Sequence, residues 1–105
     1  MHDDVVYKGR FIWNRLKAEI NHRGHGITFE EAIEAFDDPF FVEEYDEANS
    51  VNEDRYNITG FVKGKYMTVS FTLRDNLTRI FSAREADGDE EEAYNENIRR
   101  YIGER

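Results

Sequence analysis

The chain has no cysteine, a single proline and no long apolar run. Without cysteine there is neither a disulfide framework nor thiolate chemistry. No apolar stretch approaches the roughly 20 residues that a membrane-spanning helix needs. The first ten residues lack the basic-then-apolar pattern of a signal peptide. We therefore expect a cytoplasmic protein without membrane contact, whose residues 1–105 form a single domain.

Basic residues are also scarce, and they are unevenly distributed. The chain has 14 Lys and Arg against 23 Asp and Glu, a net charge of −9, which argues against nucleic acid as a partner. Residues 27–54, however, carry eleven acids and no Lys or Arg, whereas residues 55–84 carry six Lys and Arg against one acid. A ligand meets a local patch rather than the total charge, so an anionic partner stays open.

The first half of the chain predicts one short strand and two helices. Residues 6–13 are rich in β-formers. Asn14 is a suitable N-cap for a helix over residues 15–23, which Gly24 is expected to end. The sequence TFEE at 28–31 is a capping box for a second helix. Pro39 is expected to end that helix.

The second half predicts strands and then a final helix. Residues 40–45 predict a short strand and residues 46–54 a loop. Residues 55–62, 65–74 and 78–84 predict consecutive antiparallel strands, joined by tight turns at 63–64 and 75–76. In the middle strand Met67, Val69, Phe71 and Leu73 alternate with polar residues, which predicts one core face and one open face. From about Asp89 a helix is expected. The fold class is therefore α+β, with helices covering one face of a mostly antiparallel sheet.

Several short motifs, in their order and spacing, resemble the BrnT family of bacterial toxins, the ribonuclease partner of a type II toxin–antitoxin pair. The matching positions are Phe11-x-Trp13, Lys17, Asn21, His25-Gly26, TFEEA at 28–32, FDDP at 36–39, Glu53, Arg55, Gly60, Thr72-x-Arg74, RIFSAR at 79–84 in place of the usual R-I-I-S-A-R, Glu90 and Tyr94. The likeness covers roughly residues 11–94. The chain departs from the family pattern at Asn14 (usually Asp), at Gly24 (often Lys) and at DGDEEEA, residues 87–93 (often rich in Arg).

The resemblance implies a RelE-like fold, with two N-terminal helices packed on the sheet and a C-terminal helix. It further implies RNA cleavage without a metal ion or other cofactor. The implied partner is a ribbon-helix-helix, BrnA-like antitoxin that binds DNA, so that this chain would meet DNA only through the antitoxin.

Metal-free RNA cleavage needs a base for the ribose 2′-hydroxyl, an acid for the leaving oxygen and cations around the pentavalent phosphate. Arginine suits the last role because its planar fork binds phosphate oxygens in pairs. Arg74 and Arg84 are expected to project together from one end of the sheet, across the turn at 75–76. Arg79 has the opposite parity to Arg84, which predicts an ion-paired residue on the other face.

Arg55, His25, Lys17 and Tyr94 complete the candidate catalytic set. Arg55 and Lys17 match the family pattern, and a histidine changes charge near neutral pH. A tyrosine acts as a base or stacks on a nucleobase. No third ligand accompanies His22 and His25, so no metal site is predicted. The alternatives are arginines paired with local acids, a His25 bonded to loop backbone and a Tyr94 in the core.

Two functions remain open from the sequence. The first is an endoribonuclease toxin that an antitoxin neutralises, favoured by the cations and His25. The second is a non-catalytic binding module of the same fold that keeps only the antitoxin pairing, favoured by the net charge and by the acids of residues 87–92.

Overall fold

The computed structural model describes residues 4–103 and shows an α+β fold. Within this range six strands form one sheet: β1 (Val5–Lys8), β2 (Phe11–Asn14), β3 (Val42–Tyr45), β4 (Tyr56–Val62), β5 (Lys65–Arg74) and β6 (Leu77–Glu85). The α-helices of this range are α1 (Arg15–His25), α2 (Phe29–Ala32) and α3 (Gly88–Gly103). The strand order is β1-β2-β6-β5-β4-β3, and only β2 and β6 pair in parallel. The predicted class, the mostly antiparallel sheet and the C-terminal helix are confirmed.

The predicted strand over residues 6–13 is in fact a hairpin. β1 and β2 pair antiparallel, with Val6 opposite Trp13 and Lys8 opposite Phe11. Gly9 forms the turn between them with φ +60°, a conformation that glycine adopts without a steric cost. The prediction of a single strand was wrong because β-forming residues on both sides of Gly9 conceal the turn.

Helix α1 begins where the sequence predicts and ends later. The Asn14 side chain accepts a hydrogen bond of 2.9 Å from the backbone N–H of Lys17, so the predicted N-cap is confirmed. The helix continues through Gly24, and Gly26 ends it with φ +73° and an N–H bond of 2.8 Å to the His22 carbonyl. Gly26 instead of Gly24 is the C-cap because it is the glycine that takes the left-handed conformation.

Helix α2 begins with the predicted capping box. Thr28 Oγ1 accepts from the Glu31 N–H at 3.0 Å, and Glu31 Oε1 accepts from the Thr28 N–H at 3.1 Å. The α-helix itself has only four residues, after which residues Ile33–Asp37 form a 3-10 turn that ends before Pro39. The predicted second helix is therefore present, but most of its length is 3-10.

Strands β3 to β6 lie where the sequence predicts them, but the faces of β5 differ from the expectation. Met67, Val69 and Phe71 are buried as predicted. Leu73 is 61% exposed, whereas Thr68 and Thr72 on the opposite face are 1% and 2% exposed. The predicted alternation is wrong for Leu73 because it lies beyond the core, next to the turn. It is wrong for the two threonines because Glu90 covers Thr68 and the segment at Asp54 covers Thr72.

The core lies between the sheet and the segment that contains α2 and the 3-10 turn. Trp13 and Phe29 meet edge to face, with ring centroids 5.8 Å apart. Gly60 of β4 lies directly under Ala35, so that a Cβ at Gly60 would stand 3.1 Å from the Ala35 Cβ and 3.2 Å from its carbonyl oxygen. The buried cluster comprises Trp13, Ile27, Phe29, Ala32, Ala35, Ile58, Val62, Met67, Val69, Phe71, Ile80 and Ala83.

Helix α3 packs on the other face of the sheet, which we call the outer face. Glu90 of α3 bonds Thr68, whose side chain points away from those of Met67 and Val69. The expectation that helices cover one face only was wrong. Asp38 links the two layers, because its Oδ2 accepts from the Phe61 N–H at 2.8 Å and from the Tyr94 hydroxyl at 2.6 Å. None of the helices described is long and apolar enough to cross a bilayer.

Replacing Gly60 with alanine is expected to destabilise the fold by about 1–3 kcal/mol, because the new methyl group meets the Ala35 backbone, which cannot move away cheaply. Urea unfolding measures this change. Gly24→Ala is the matched control: its position is helical and nothing lies within 4 Å of the added Cβ. It should stabilise the protein by about 0.5–1 kcal/mol. Equal effects of the two variants would contradict the packing described here.

Candidate functional site

A β-bulge in β6 decides which side chains share the outer face. Ser82 pairs with Ser70 and Ile80 pairs with Phe71, so Phe81 is left without a partner in the register. Such a bulge inserts one residue and changes the alternation beyond it. Ile80 and Ala83 both stay in the core, although they are three residues apart.

Arg79 therefore lies on the same face as Arg84, and the prediction that they face different sides was wrong. Arg79 stands opposite Thr72, and Arg84 stands opposite Thr68, two positions of β5 with the same parity. The parity rule failed because it assumes an uninterrupted strand. Arg79 also lacks the predicted ion pair, since no carboxylate of residues 4–103 lies within 4.0 Å of it.

Arg74 and Arg84 share this face but lie at opposite ends of the β5–β6 hairpin. Arg74 pairs with Leu77 next to the turn, whereas Arg84 pairs with Thr68 at the far end. These two positions of β5, 68 and 74, are six residue steps apart, about 20 Å along an extended strand. The expectation that both arginines project from one end was wrong, and they cannot hold the same phosphate.

Arg84 forms a two-bonded ion pair with Glu90. Its Nη1 and Nη2 donate to Oε1 and Oε2 of Glu90, both at 2.8 Å. Glu90 Oε1 also accepts from the Asp87 N–H at 2.9 Å and from Thr68 Oγ1 at 2.9 Å, while Asp87 Oδ1 accepts from the Glu90 N–H at 2.8 Å. Asp87 and Glu90 thus form a capping box at the start of α3.

These bonds shift the pKa values of both partners in opposite directions. The hydrogen bonds from Arg84 lower the pKa of Glu90 from 4.5 to about 2, and the Asp87 and Thr68 bonds act in the same direction. Bonding to Glu90 raises the pKa of Arg84 further above its usual value. At neutral pH this is a fully charged, partly buried pair that connects α3 to the sheet.

Arg55 and Arg74 share one carboxylate. Arg74 Nη2 donates to Glu53 at 2.9 Å, and Arg55 Nη2 lies 3.7 Å from the same group. The Arg55 guanidinium carbon stands 4.0 Å above the centroid of the Phe81 ring. Its Nε is buried and has no hydrogen-bond acceptor among residues 4–103. The sequence alternative of arginines paired with local acids thus describes Arg74, Arg84 and, more loosely, Arg55.

Lys17 and His25 lie on α1, which runs beside the part of β6 that β2 does not pair with. β2 pairs with β6 only as far as Arg79. Beyond it, the Asn21 side chain accepts from the Ala83 N–H at 3.0 Å and donates to the Ala83 carbonyl at 2.8 Å. The Asn21 side chain therefore satisfies the backbone N–H and carbonyl of Ala83 at the unpaired edge of β6. The groove between helix and strand, which we call the α1–β6 groove, is lined by Lys17, Ile20, Asn21, Gly24, His25, Phe81 and Ser82.

Tyr94 lies apart from this groove. The side chain is 5% exposed, and its ring meets that of Tyr66 edge to face with the centroids 5.6 Å apart. Burial raises the pKa of the Tyr94 hydroxyl well above its usual value, and the hydrogen bond to Asp38 adds to the effect. The geometry gives Tyr94 the packing role that the sequence offers as an alternative; a part in catalysis stays a prediction.

The structure therefore gathers Lys17, His25 and Arg55 around Phe81 and leaves Arg74 and Arg84 at the two ends of the outer face. Sequence reasoning missed Arg79 and Phe81 as residues of this face. The signal was present in Ile80-Phe81-Ser82-Ala83, where two core residues three apart break the alternation of a strand. Among residues 4–103, no cluster of three His, Cys, Asp or Glu side chains has the arrangement of a metal site.

Replacing Glu90 with glutamine should destabilise the protein at pH 7 by about 2 kcal/mol, since charge-assisted hydrogen bonds to a partly exposed arginine are lost. A carboxylate whose folded pKa is lowered stabilises the fold above its unfolded pKa, and this contribution disappears as pH falls through the folded value. The gap between wild type and variant should therefore close from pH 4.5 down to about pH 2. Urea unfolding over this range measures it.

Glu91→Gln is the matched control for this experiment. Glu91 lies in the same first turn of α3 but is exposed and makes no side-chain hydrogen bond within residues 4–103. Its substitution should change stability by less than about 0.5 kcal/mol at any pH. A gap for Glu90→Gln that stays constant with pH would contradict the ion pair.

Comparison with known proteins agrees with the motifs in the sequence. A family model that describes the ribonuclease toxin BrnT of type II toxin–antitoxin systems matches residues 13–90. This range contains all of the cations discussed above, the β-bulge and Glu90. A search among curated proteins found no match. Because the family model covers well over half of the chain, the protein belongs to the BrnT family of type II toxin–antitoxin ribonuclease toxins.

Proposed function

We propose that the chain cleaves RNA without a metal ion, at the part of the outer face that adjoins the α1–β6 groove. One observation carries the proposal: the bulge places Arg79 and Phe81 on the face of Arg55, and Phe81 lines the groove that also contains Lys17 and His25. Cations, a histidine and an aromatic ring are the groups that positioning and cleaving single-stranded RNA requires. A RelE-like fold is part of the proposal, and the mostly antiparallel sheet with its C-terminal helix supports it.

In this proposal His25 removes the proton of the ribose 2′-hydroxyl. The 2′-oxygen attacks the adjacent phosphorus, and the bond from phosphorus to the 5′-oxygen breaks. Lys17 donates a proton to the departing 5′-oxygen. Arg55, which directly precedes β4, and Arg79 of β6, which stands opposite Thr72 of β5, stabilise the negative charge on the pentavalent phosphate. The products are a 2′,3′-cyclic phosphate and a 5′-hydroxyl end.

Arg74 and Arg84 are assigned to flanking phosphates of the same RNA strand. Their distance along the outer face, about 20 Å by strand geometry, spans several nucleotides of an extended chain. Each has to exchange a carboxylate, Glu53 or Glu90, for a phosphate before it binds RNA. Their contribution to affinity is therefore smaller than that of unpaired cations.

The non-catalytic binding module remains the second candidate, and these carboxylates favour it. Glu53 and Glu90 neutralise Arg74 and Arg84, and Glu53 also lies near Arg55, so the outer face attracts RNA less than its arginines alone would. Cleavage of RNA by the purified protein in the presence of EDTA separates the two candidates directly.

We expect His25→Ala to slow this cleavage by about 10²–10⁴-fold, the usual contribution of a general base. His22→Ala is the matched control, because His22 is exposed on the same helix but lines a different groove, together with Glu19 and Glu30. Gel analysis of a single-stranded RNA with excess chelator measures the rates, and treatment of the products with phosphatase reveals the cyclic end. Equal rates for both variants would exclude His25 as the base.

We further propose that the antitoxin is a ribbon-helix-helix protein that approaches the acidic side of the chain. α3 carries exposed acids at Asp89, Glu91 and Glu92, and the edge strand β3 carries Glu43 and Glu44. A DNA-binding protein has a basic surface, and opposite charge accelerates the encounter of two proteins.

Association of the purified pair should slow as salt rises from about 0.1 M to about 1 M, because the Debye length falls from about 10 Å to about 3 Å. Reversing Glu91 and Glu92 to lysine should slow association at low salt, while dissociation changes less. Stopped-flow mixing measures both rates. A reversal of Glu19 and Glu30, which changes the net charge equally on the side of α1 away from the α1–β6 groove, is the control. Equal slowing by both double variants would mean that net charge alone steers the encounter.

A further inference from the structure

We propose that the α1–β6 groove binds one unpaired nucleobase of single-stranded RNA, stacked on the ring of Phe81. The inference rests on the proposed function in so far as RNA is the ligand, and it adds where a base of that RNA binds. It concerns binding, so it does not depend on which group removes the proton during cleavage.

The first support is the position of Phe81. It is the inserted residue of the bulge, so its half-buried ring lies on the polar outer face instead of in the core. The ring forms part of the groove floor with Ser82, opposite the 56%-exposed Ile20 of α1. Gly24 leaves open space in the helix wall, with nothing within 4 Å of a Cβ built there. The groove is thus an open slot with two apolar sides, which suits a flat, partly apolar ring.

The second support is the contact between Phe81 and Arg55. The guanidinium lies 4.0 Å from the ring centroid, so this ring already stacks with one planar group. The buried Nε of Arg55 has no acceptor among residues 4–103, so the arginine holds this place at the expense of a hydrogen bond. Arg55 covers Phe81 from the side of β4, and the groove leaves the ring accessible from the side of α1.

The third support is charge. The lining of the α1–β6 groove contains Lys17 and His25 and no acid. The groove on the other side of α1 includes Glu19 and Glu30, and the groove under α3 includes Glu44, Asp87, Asp89 and Glu90. In a chain with a net charge of −9, this acid-free groove is suited to a base that carries a phosphate on each side.

The groove offers little that would distinguish one base from another. The Asn21 side chain uses its oxygen on Ala83 and its nitrogen on Ala83 and Ile27, so it has no free group for a base edge. Stacking on an aromatic ring tolerates every base because each has a π-face. We infer a site that selects single-stranded over paired RNA, with little sequence preference.

Two variants of the intact chain test the site without replacing the proposed base or any of the proposed cations. Gly24→Leu fills the groove from an exposed helical position, and His22→Leu introduces the same side chain on another side of α1. Phe81→Ile keeps an apolar side chain and removes the ring; Phe61→Leu does so at an exposed aromatic elsewhere on the sheet. The probe is a short single-stranded RNA with 2′-O-methyl riboses, which blocks cleavage, and with 2-aminopurine as a fluorescent base.

Wild type should quench 2-aminopurine on binding. Gly24→Leu and Phe81→Ile should each weaken binding roughly tenfold and abolish the quenching, as expected for one lost base stack. His22→Leu and Phe61→Leu should bind as wild type does, and thermal unfolding should show that all four variants are folded. A duplex of the same oligonucleotide should bind without quenching.

Unchanged binding and quenching in both groove variants would overturn the inference, even if the wild type cleaves RNA. Quenching that depends on Phe81 and Gly24 in a protein that leaves unmodified RNA intact would support the base site and refute the proposed cleavage. A wild type that binds no oligonucleotide and cleaves no RNA would refute both.

Discussion

The inserted residue in β6 is the constraint on which the arrangement of the outer face depends. Ile80 and Ala83 both have to fill the core, and they are separated by two residues instead of one. A regular strand cannot bury both, so Phe81 is extruded and the alternation shifts. The shift places Arg84 on the face of Arg79 and next to Thr68, where it meets Glu90. Packing of two core residues thus determines both the arginine face and the attachment of α3.

The run of acids at residues 87–92 has a structural explanation once this face is known. Glu90 closes the capping box of α3, binds Thr68 and neutralises Arg84, so one carboxylate joins helix, sheet and cation. Its neighbours Glu91 and Glu92 are exposed at a helix N-terminus, where the helix dipole favours negative charge. An acidic segment beside a proposed RNA site is therefore compatible with a stable fold, although it lowers the attraction of the face for RNA.

The sequence predicts those features that depend on local chemistry. The Asn14 cap, the Thr28–Glu31 capping box and the hairpin turns at 63–64 and 75–76 follow from residues that contact one another within a few positions. The side of Arg79, the burial of Thr68 and the distance between Arg74 and Arg84 do not, because each depends on strand register or on a helix distant in sequence. The sequence prediction of the candidate site is wrong for the same reason. Residue type identifies its members, but which of them lie together depends on the bulge.

The cations of this face differ in what their removal can reveal. Arg84 supports α3 through Glu90, so its loss changes the fold and the site together. Arg55 and Arg74 share Glu53, so removing one changes the charge around the other. Arg79 has no such partner among residues 4–103; it stands opposite Thr72 and lines a pocket together with Arg74 and Asp75. The neighbouring arginines are paired with carboxylates, whereas the hydrogen-bond donors of Arg79 are unused within the part of the chain that the structure describes. Of the arginines on this face, Arg79 therefore has the charge that is most available to a phosphate.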